Sequence, residues 1–147
     1  MTAVFIVSGG TGFSGEQLLR TALAQFPDSG AEIAIIAGIR RPEQVDAAVA
    51  RAAAAGGLIV HTLVDSELRL ALDRLARHRG VLAVDLMGPL LAQLQIVLGA
   101  DPVGRPGQYR EQNREILERT EAIDYTLAHD DGRHPEGWRQ ADIVLVG

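Results

Sequence analysis

The stretch VFIVSGGTGFSGEQLL, Val4 to Leu19, decides how the rest of the chain is read. An apolar run passes into Gly9, Gly12 and Gly15 at three-residue spacing, and then into a helical pattern. A strand, a tight glycine turn and a helix start in that order bring backbone close to a phosphate at a helix N-terminus. Ser8, Gly9, Gly10, Thr11, Gly12 and Glu16 are therefore candidate phosphate- or ligand-binding residues. A tight turn with no ligand explains the same glycines, so the function has to be sought along the whole chain.

Outward from this turn, four further runs read as buried strands: Glu32 to Ala37, Leu58 to His61, Val81 to Val84 and Ile143 to Val146, with the first at Ala3 to Ser8. They are nearly continuous in Val, Ile and Leu, the pattern of strands covered on both faces. Helical patterns alternate with them. Gly15 to Phe26 puts Leu18, Leu19, Ala22, Leu23 and Phe26 on one stripe. Pro42 to Ala55 starts with proline in its first turn and stops at Gly56-Gly57. Ser66 to Arg77 follows the cap residue Asp65, with Leu68, Leu72 and Leu75 inward and Arg69, Arg74 and Arg77 mostly outward. The alternation predicts an α/β protein: an open, mostly parallel, doubly wound (Rossmann-like) sheet of about five strands with flanking helices. The length of 147 residues suits a single domain, 1–147. Beyond the loop GADPVGRPG, Gly99 to Gly107, one long polar helix is predicted over Gln108 to Leu127. The last strand, in ADIVLVG, closes the chain without a following loop and helix, which reads as a cut at a domain boundary.

Composition narrows the partners. Hydrophobic residues make up 47% of the chain and charged residues 22%, which suits a folded globular protein rather than disorder. The net charge of −5 offers no field for nucleic acid or an anionic membrane, so neither is expected as a partner. No basic leader precedes the first strand and no apolar run approaches a membrane span, so a soluble, cytoplasmic protein is expected. Cysteine is absent, which leaves any metal to His and carboxylates; no metal site is expected. All fourteen basic residues are arginine. A mechanism that needs a lysine has none here.

That absence weighs on the nicotinamide reading. Arg40 and Arg41, after the second strand, stand where a 2′-phosphate of NADP would be read. A short-chain reductase, however, pairs its tyrosine with a lysine four residues on, and Tyr109 and Tyr125 are followed there by Asn113 and His129. A noncatalytic NAD(P)-binding domain or sensor module stays open as the alternative.

Ligands of such sheets sit at the carboxyl ends of strands. His61, Thr62 and Asp65 follow the third strand, where Asp65 reads slightly better as a helix cap. Asp85 ends the fourth, as either a cap for the helix at Pro89 or a site residue. AHDDGRHPEGW, Ala128 to Trp138, is the densest polar stretch; a turn on Asp-Gly explains it, and an acid/base role for Asp130 or Asp131 stays open. Arg105, Arg110, Arg114 and Arg119 read as a solvated helix face paired with Glu111, Glu115 and Glu118.

Taken in order, VSGGTGFSGEQL, LIVHTLVDSELR, VDLMGPLL, RTEAIDYTLAHDDG and ADIVLVG resemble the regulatory proteins of pyruvate phosphate dikinase and phosphoenolpyruvate synthase, from about Val4 to Gly147. The resemblance implies a bifunctional enzyme. Family members use ADP to phosphorylate a threonine of the dikinase or synthase, and use inorganic phosphate to remove that group as pyrophosphate. The family's last strand runs into a P-loop that holds the nucleotide, and Gly147 comes before it. The resemblance thus implies an N-terminal domain that is inert alone, with ADP or ATP and phosphate bound in the full-length protein and nothing held tightly here. The dikinase or synthase is the implied protein partner; a homodimer is left open, with no residue singling it out. His129, Asp130 and Asp131 match the family's His-Asp-Asp-Gly and are the implied catalytic residues. Many members have Ser-Asp-Gly-Thr in the first turn where Ser8 is here followed by Gly9, which leaves no carboxylate there.

Overall fold

The computed structural model describes residues 2–129, in two compact units that meet after Gly107. In the first unit, strands β1 (Ala3–Val7), β2 (Glu32–Ile36), β3 (Leu58–His61) and β4 (Ala83–Asp85) alternate with helices α1 (Phe13–Leu23), α2 (Pro42–Ala54), α3 (Ser66–His78) and α4 (Gly88–Leu98). The strands form one sheet in the order β2-β1-β3-β4, and every pair is parallel. The chain is thus an open parallel α/β sheet with flanking helices. The strand expected over Ile143 to Val146 lies outside the described residues, so the described sheet has four strands.

Strand alternation explains how both faces are covered. Phe5, Val7 and Ile59 point to one face, where they pack with Val45 and Val49 of α2 and Leu68 and Leu72 of α3. Val4, Ile6 and Val60 point to the other, against Leu19 of α1. β1 is central and buried on both sides, with Ile6 and Val7 wholly removed from solvent. Two glycines make room for it. An ideal Cβ at Gly57 would stand 2.7 Å from the Ala3 carbonyl oxygen and from the Phe5 ring, so the entry to β3 needs glycine to lie beside β1. Gly12 caps α1 with φ of 87°, and a Cβ there would reach 2.7 Å from Ile35 Cγ2.

Of the boundaries that differ from the sequence pattern, three have a clear local reason. α1 stops at Leu23 because the next amides turn back in short bonds, Gln25 N–H to Ala22 O and Phe26 N–H to Leu23 O; Phe26 and Leu18, predicted on the apolar stripe, are exposed. β4 begins at Ala83 rather than Val81, because the Val81 amide still donates to Ala76 O at the end of α3. In the second unit, the predicted single helix is divided at Asn113 into α5 (Gln108–Gln112) and α6 (Arg114–Ala128), and the Asn113 side chain donates to Tyr109 O at 2.9 Å. Among the described residues no helix is long and apolar enough to cross a membrane.

Leu72 is fully buried between α3 and the sheet, whereas Leu70, two residues earlier on the same helix, is 70% exposed. Leu72→Ala should cost about 2–5 kcal/mol of unfolding free energy in urea titrations, and Leu70→Ala less than about 0.5 kcal/mol.

Candidate functional site

The carboxyl ends of β1, β3 and β4 are level. Val7 pairs with His61, and His61 with Asp85, so these three side chains project to the face that carries α2 and α3. The ladder continues one residue further, with Ser8 N–H donating to Ile36 O, Thr62 N–H to Val7 O and Leu86 N–H to His61 O. Ser8 and Thr62 therefore turn to the opposite face, under α1, where the Thr62 methyl would lie 3.2 Å from a Cβ at Gly15. His61 and Thr62, adjacent in sequence and both predicted to face one cleft, are divided between two polar clusters.

The first cluster is at the junction of β1 and β3, where the chain order reverses: β1 leads to β2 on one side and β3 returns on the other. Such a switch point is where open α/β sheets form a ligand crevice. Ser8, only 6% exposed, accepts the Gly10 amide at 3.2 Å, and its hydroxyl oxygen lies 3.1 Å from that of Thr62. With Thr62 as the donor in that pair, the Ser8 hydroxyl keeps its own proton for a further acceptor. The turn is pinned on its other side as well, since Gly38 N–H donates to Gly10 O at 2.9 Å. Gly9 is closed off: a Cβ there would come 2.8 Å from Pro106 Cβ, so the loop Gly99 to Gly107 covers this corner. Around Gly10, among the described residues other than its chain neighbours, only Ser8 Oγ and Gly107 come within 4 Å of a built Cβ, and the neighbouring Thr11 is exposed. Thr11 Oγ1 accepts the Phe13 amide at 3.4 Å. Glu16 is not part of the crevice floor; it pairs with Arg20 one helical turn on, at 2.7 Å.

The second cluster is at the ends of β3 and β4. Asp85 Oδ1 accepts the amides of Met87 at 2.9 Å and Gly88 at 2.7 Å, so Asp85 caps the start of α4. Asp65 caps α3, its Oδ1 accepting the Leu68 amide at 3.0 Å. His61 is 2% exposed, and its Nδ1 lies 3.8 Å from Asp85 Oδ1, beyond hydrogen-bonding distance. Burial pulls the imidazole below the usual histidine value, Asp85 opposes that pull and Arg69 adds to it, so the ring is neutral and the contact with Asp85 is not an ion pair. Arg69, expected on the solvent side of α3, lies instead against this group with its Nε buried. Gly88 makes the space, because a side chain there would overlap the Asp85 carboxylate and come 2.5 Å from Arg69 Nη1. The spacing of apolar residues along α3 could not show this. The relevant signal is positional: Arg69 falls in the first turns after a strand end, where ligands gather.

In the second unit, His129 stacks on Tyr125 with ring centroids 4.0 Å apart, and its Nδ1 lies 2.8 Å from Tyr125 O. Asp130 and Asp131 lie outside the described residues.

A parallel α/β sheet with a glycine turn and paired hydroxyls at its switch point defines an open α/β protein of the doubly wound class. The chain belongs to the kinase/pyrophosphorylase family, whose model matches residues 4–147. It is 47% identical over 144 residues to a Chloroflexus aurantiacus protein named "Putative pyruvate, phosphate dikinase regulatory protein", covering 98% of this chain and 52% of that protein. Proteins of the same name from Trichlorobacter lovleyi and Desulfotalea psychrophila are 38% identical over 147 residues and 39% identical over 144. Those matches cover 100% and 98% of this chain, and 55% and 51% of the relatives. The chain spans about half the length of the curated relatives it matches.

The neutral, buried His61 sets a pH dependence. Above pH 6.5, the ordinary histidine value, both folded and unfolded states hold the ring neutral; below it the unfolded chain takes up the proton first. Stability should therefore fall as the pH drops from 6.5 toward the lowered folded-state value, and level off below that. Urea-unfolding midpoints from pH 7.5 to 5 should slope less in His61→Asn than in the natural chain.

Proposed function

We propose that this chain is the N-terminal part of a bifunctional enzyme that controls pyruvate phosphate dikinase or phosphoenolpyruvate synthase. In the forward direction ADP would supply a phosphoryl group to a threonine hydroxyl of the target; in reverse, inorganic phosphate would accept it and leave as pyrophosphate. The observation that carries this reading is family membership over residues 4–147 together with the hydroxyl pair Ser8–Thr62 at the switch point. Nucleotide binding falls to the remaining half of the family protein. The residues of this chain fit a phosphate group rather than a whole nucleotide: Ser8 with a proton to give, Thr62 behind it, and the open approach over Gly10 and Thr11.

Asp130 or Asp131 is the candidate base that takes the threonine proton as the oxygen attacks phosphorus. His129 precedes them, its Nδ1 against Tyr125 O. Ser8, Gly10 and Thr11 would orient the transferred or attacking phosphate. The protein partner is the dikinase or synthase, and a cytoplasmic location follows from that partner.

The alternative, a noncatalytic NAD(P)-binding module, draws on Arg40 and Arg41. Their backbone amides both go to Gln44 Oε1, at 2.8 and 3.0 Å, which fixes their backbone at the start of α2 while both residues stay exposed. The order β2-β1-β3-β4 also departs from the 3-2-1-4 order of dinucleotide-binding sheets. The strand order weighs against the dinucleotide reading.

In a protein of full family length carrying this chain, Asp130→Asn or Asp131→Asn should lower both the ADP-dependent phosphorylation and the phosphate-dependent reversal about 100-fold or more, as removal of a general base does. Radiolabel transfer to the target threonine measures the first, and pyrophosphate release the second. Full retention of both activities by both variants would sink the assignment.

A further inference from the structure

The cluster at the ends of β3 and β4 holds two buried polar atoms without hydrogen-bond partners. Arg69 Nε is buried with no hydrogen-bond partner, and so is His61 Nδ1. An arginine Nε–H is always a donor, so what it lacks is an acceptor. Asp85 does not fill that place. Its Oδ1 takes two amides at the start of α4, and its Oδ2 and Arg69 Nη1 both border the space over Gly88. Asp85 Oδ1 is thus held by backbone amides, and the Arg69 Nε–H is left without an acceptor.

From this geometry we infer that Arg69 is the principal donor of an oxyanion subsite at the β3–β4 end of the sheet, taking the phosphate group of inorganic phosphate or of a phosphomonoester. The planar guanidinium offers parallel N–H bonds from Nε and Nη that match two oxygens of a tetrahedral anion. His61 Nδ1, in the tautomer that carries the proton, supplies another donor behind it. A cation is the wrong ligand, because the groups without partners include an obligate donor that already bears positive charge. Arg69 moves onto the ligand from its place over Gly88 without giving up a hydrogen bond at Nε, and the partly exposed Asp85 keeps its two amide bonds throughout. The need for an oxyanion comes from these donors; the choice of phosphate among oxyanions rests on the phosphoryl-transfer reading above. This subsite is on the opposite face of the sheet from Ser8 and Thr62.

The test uses the 147-residue chain itself. Inorganic phosphate is titrated into labelled protein, and the Arg69 Nε–H resonance is followed by NMR. That resonance should shift saturably while that of Arg74, exposed on the same helix, stays still. An unmoved Arg69 signal, or an equal shift at Arg74, overturns the proposal. By calorimetry, Arg69→Gln should bind phosphate about tenfold or more weakly, with Arg69→Lys in between, because a charge remains but the fork is lost. Unchanged affinity in Arg69→Gln overturns it too, and if that variant does not fold, the titration of the natural chain decides. A phosphothreonine peptide separates the two sources of the anion: tighter binding than free phosphate assigns the subsite to a phosphomonoester, and equal or weaker binding assigns it to inorganic phosphate. A chain indifferent to phosphate would remove this subsite alone, since the function proposed above is decided by turnover of the Asp130 and Asp131 variants.

Discussion

The burial of β1 between two parallel neighbours is the constraint on which the rest of the first unit depends. Every residue from Val4 to Val7 is buried, and the strand pairs along its length with β2 on one side and β3 on the other. A strand with no solvated face must have helices above and below it, which is what α1 on one side and α2 with α3 on the other provide. The chain can leave such a strand only by a turn with no side chains in the way. Gly9 lies under Pro106, Gly10 is bonded to Gly38, and Gly12 takes the left-handed conformation that starts α1. The glycine turn is as much a consequence of a doubly covered strand as a device for ligands.

The same alternation that covers β1 on both faces sorts the polar residues at its carboxyl end. One register row, Val7, His61 and Asp85, faces α2 and α3; the next, Ser8 and Thr62, faces α1. The result is two polar clusters back to back across the sheet rather than one cleft. One has a pair of hydroxyls and a backbone amide bonded to one of them, all neutral groups. The other has a capped carboxylate, a neutral histidine and a guanidinium with a donor unused.

Much of this was legible in the residues. The apolar runs and the glycine and proline punctuation gave the strands and helices of an open parallel sheet, because a doubly buried strand has to be nearly all Val, Ile and Leu. Asp65 was readable as a cap from its place before an amphipathic run, and it caps. The stripe of α1 was less reliable: Leu18 and Phe26 fit the helical period yet remain exposed, since periodicity says which residues share a side but not whether anything packs there. Asp85 could be read equally as cap or site residue, and the structure gives it two amides to hold beside a buried histidine.

The sequence by itself determined the class of fold, the turn after the first strand and the family, because each depends on residues close together along the chain or on motifs in fixed order. Tertiary structure alone decided the strand order β2-β1-β3-β4, the partnership of Ser8 with Thr62 across 54 positions, and the burial of Arg69 Nε near Asp85 and Gly88. Those depend on which strand lies beside β1 and on which face each residue at the strand ends projects. Register between strands fixes both, and register is set by packing between distant segments rather than by any local pattern.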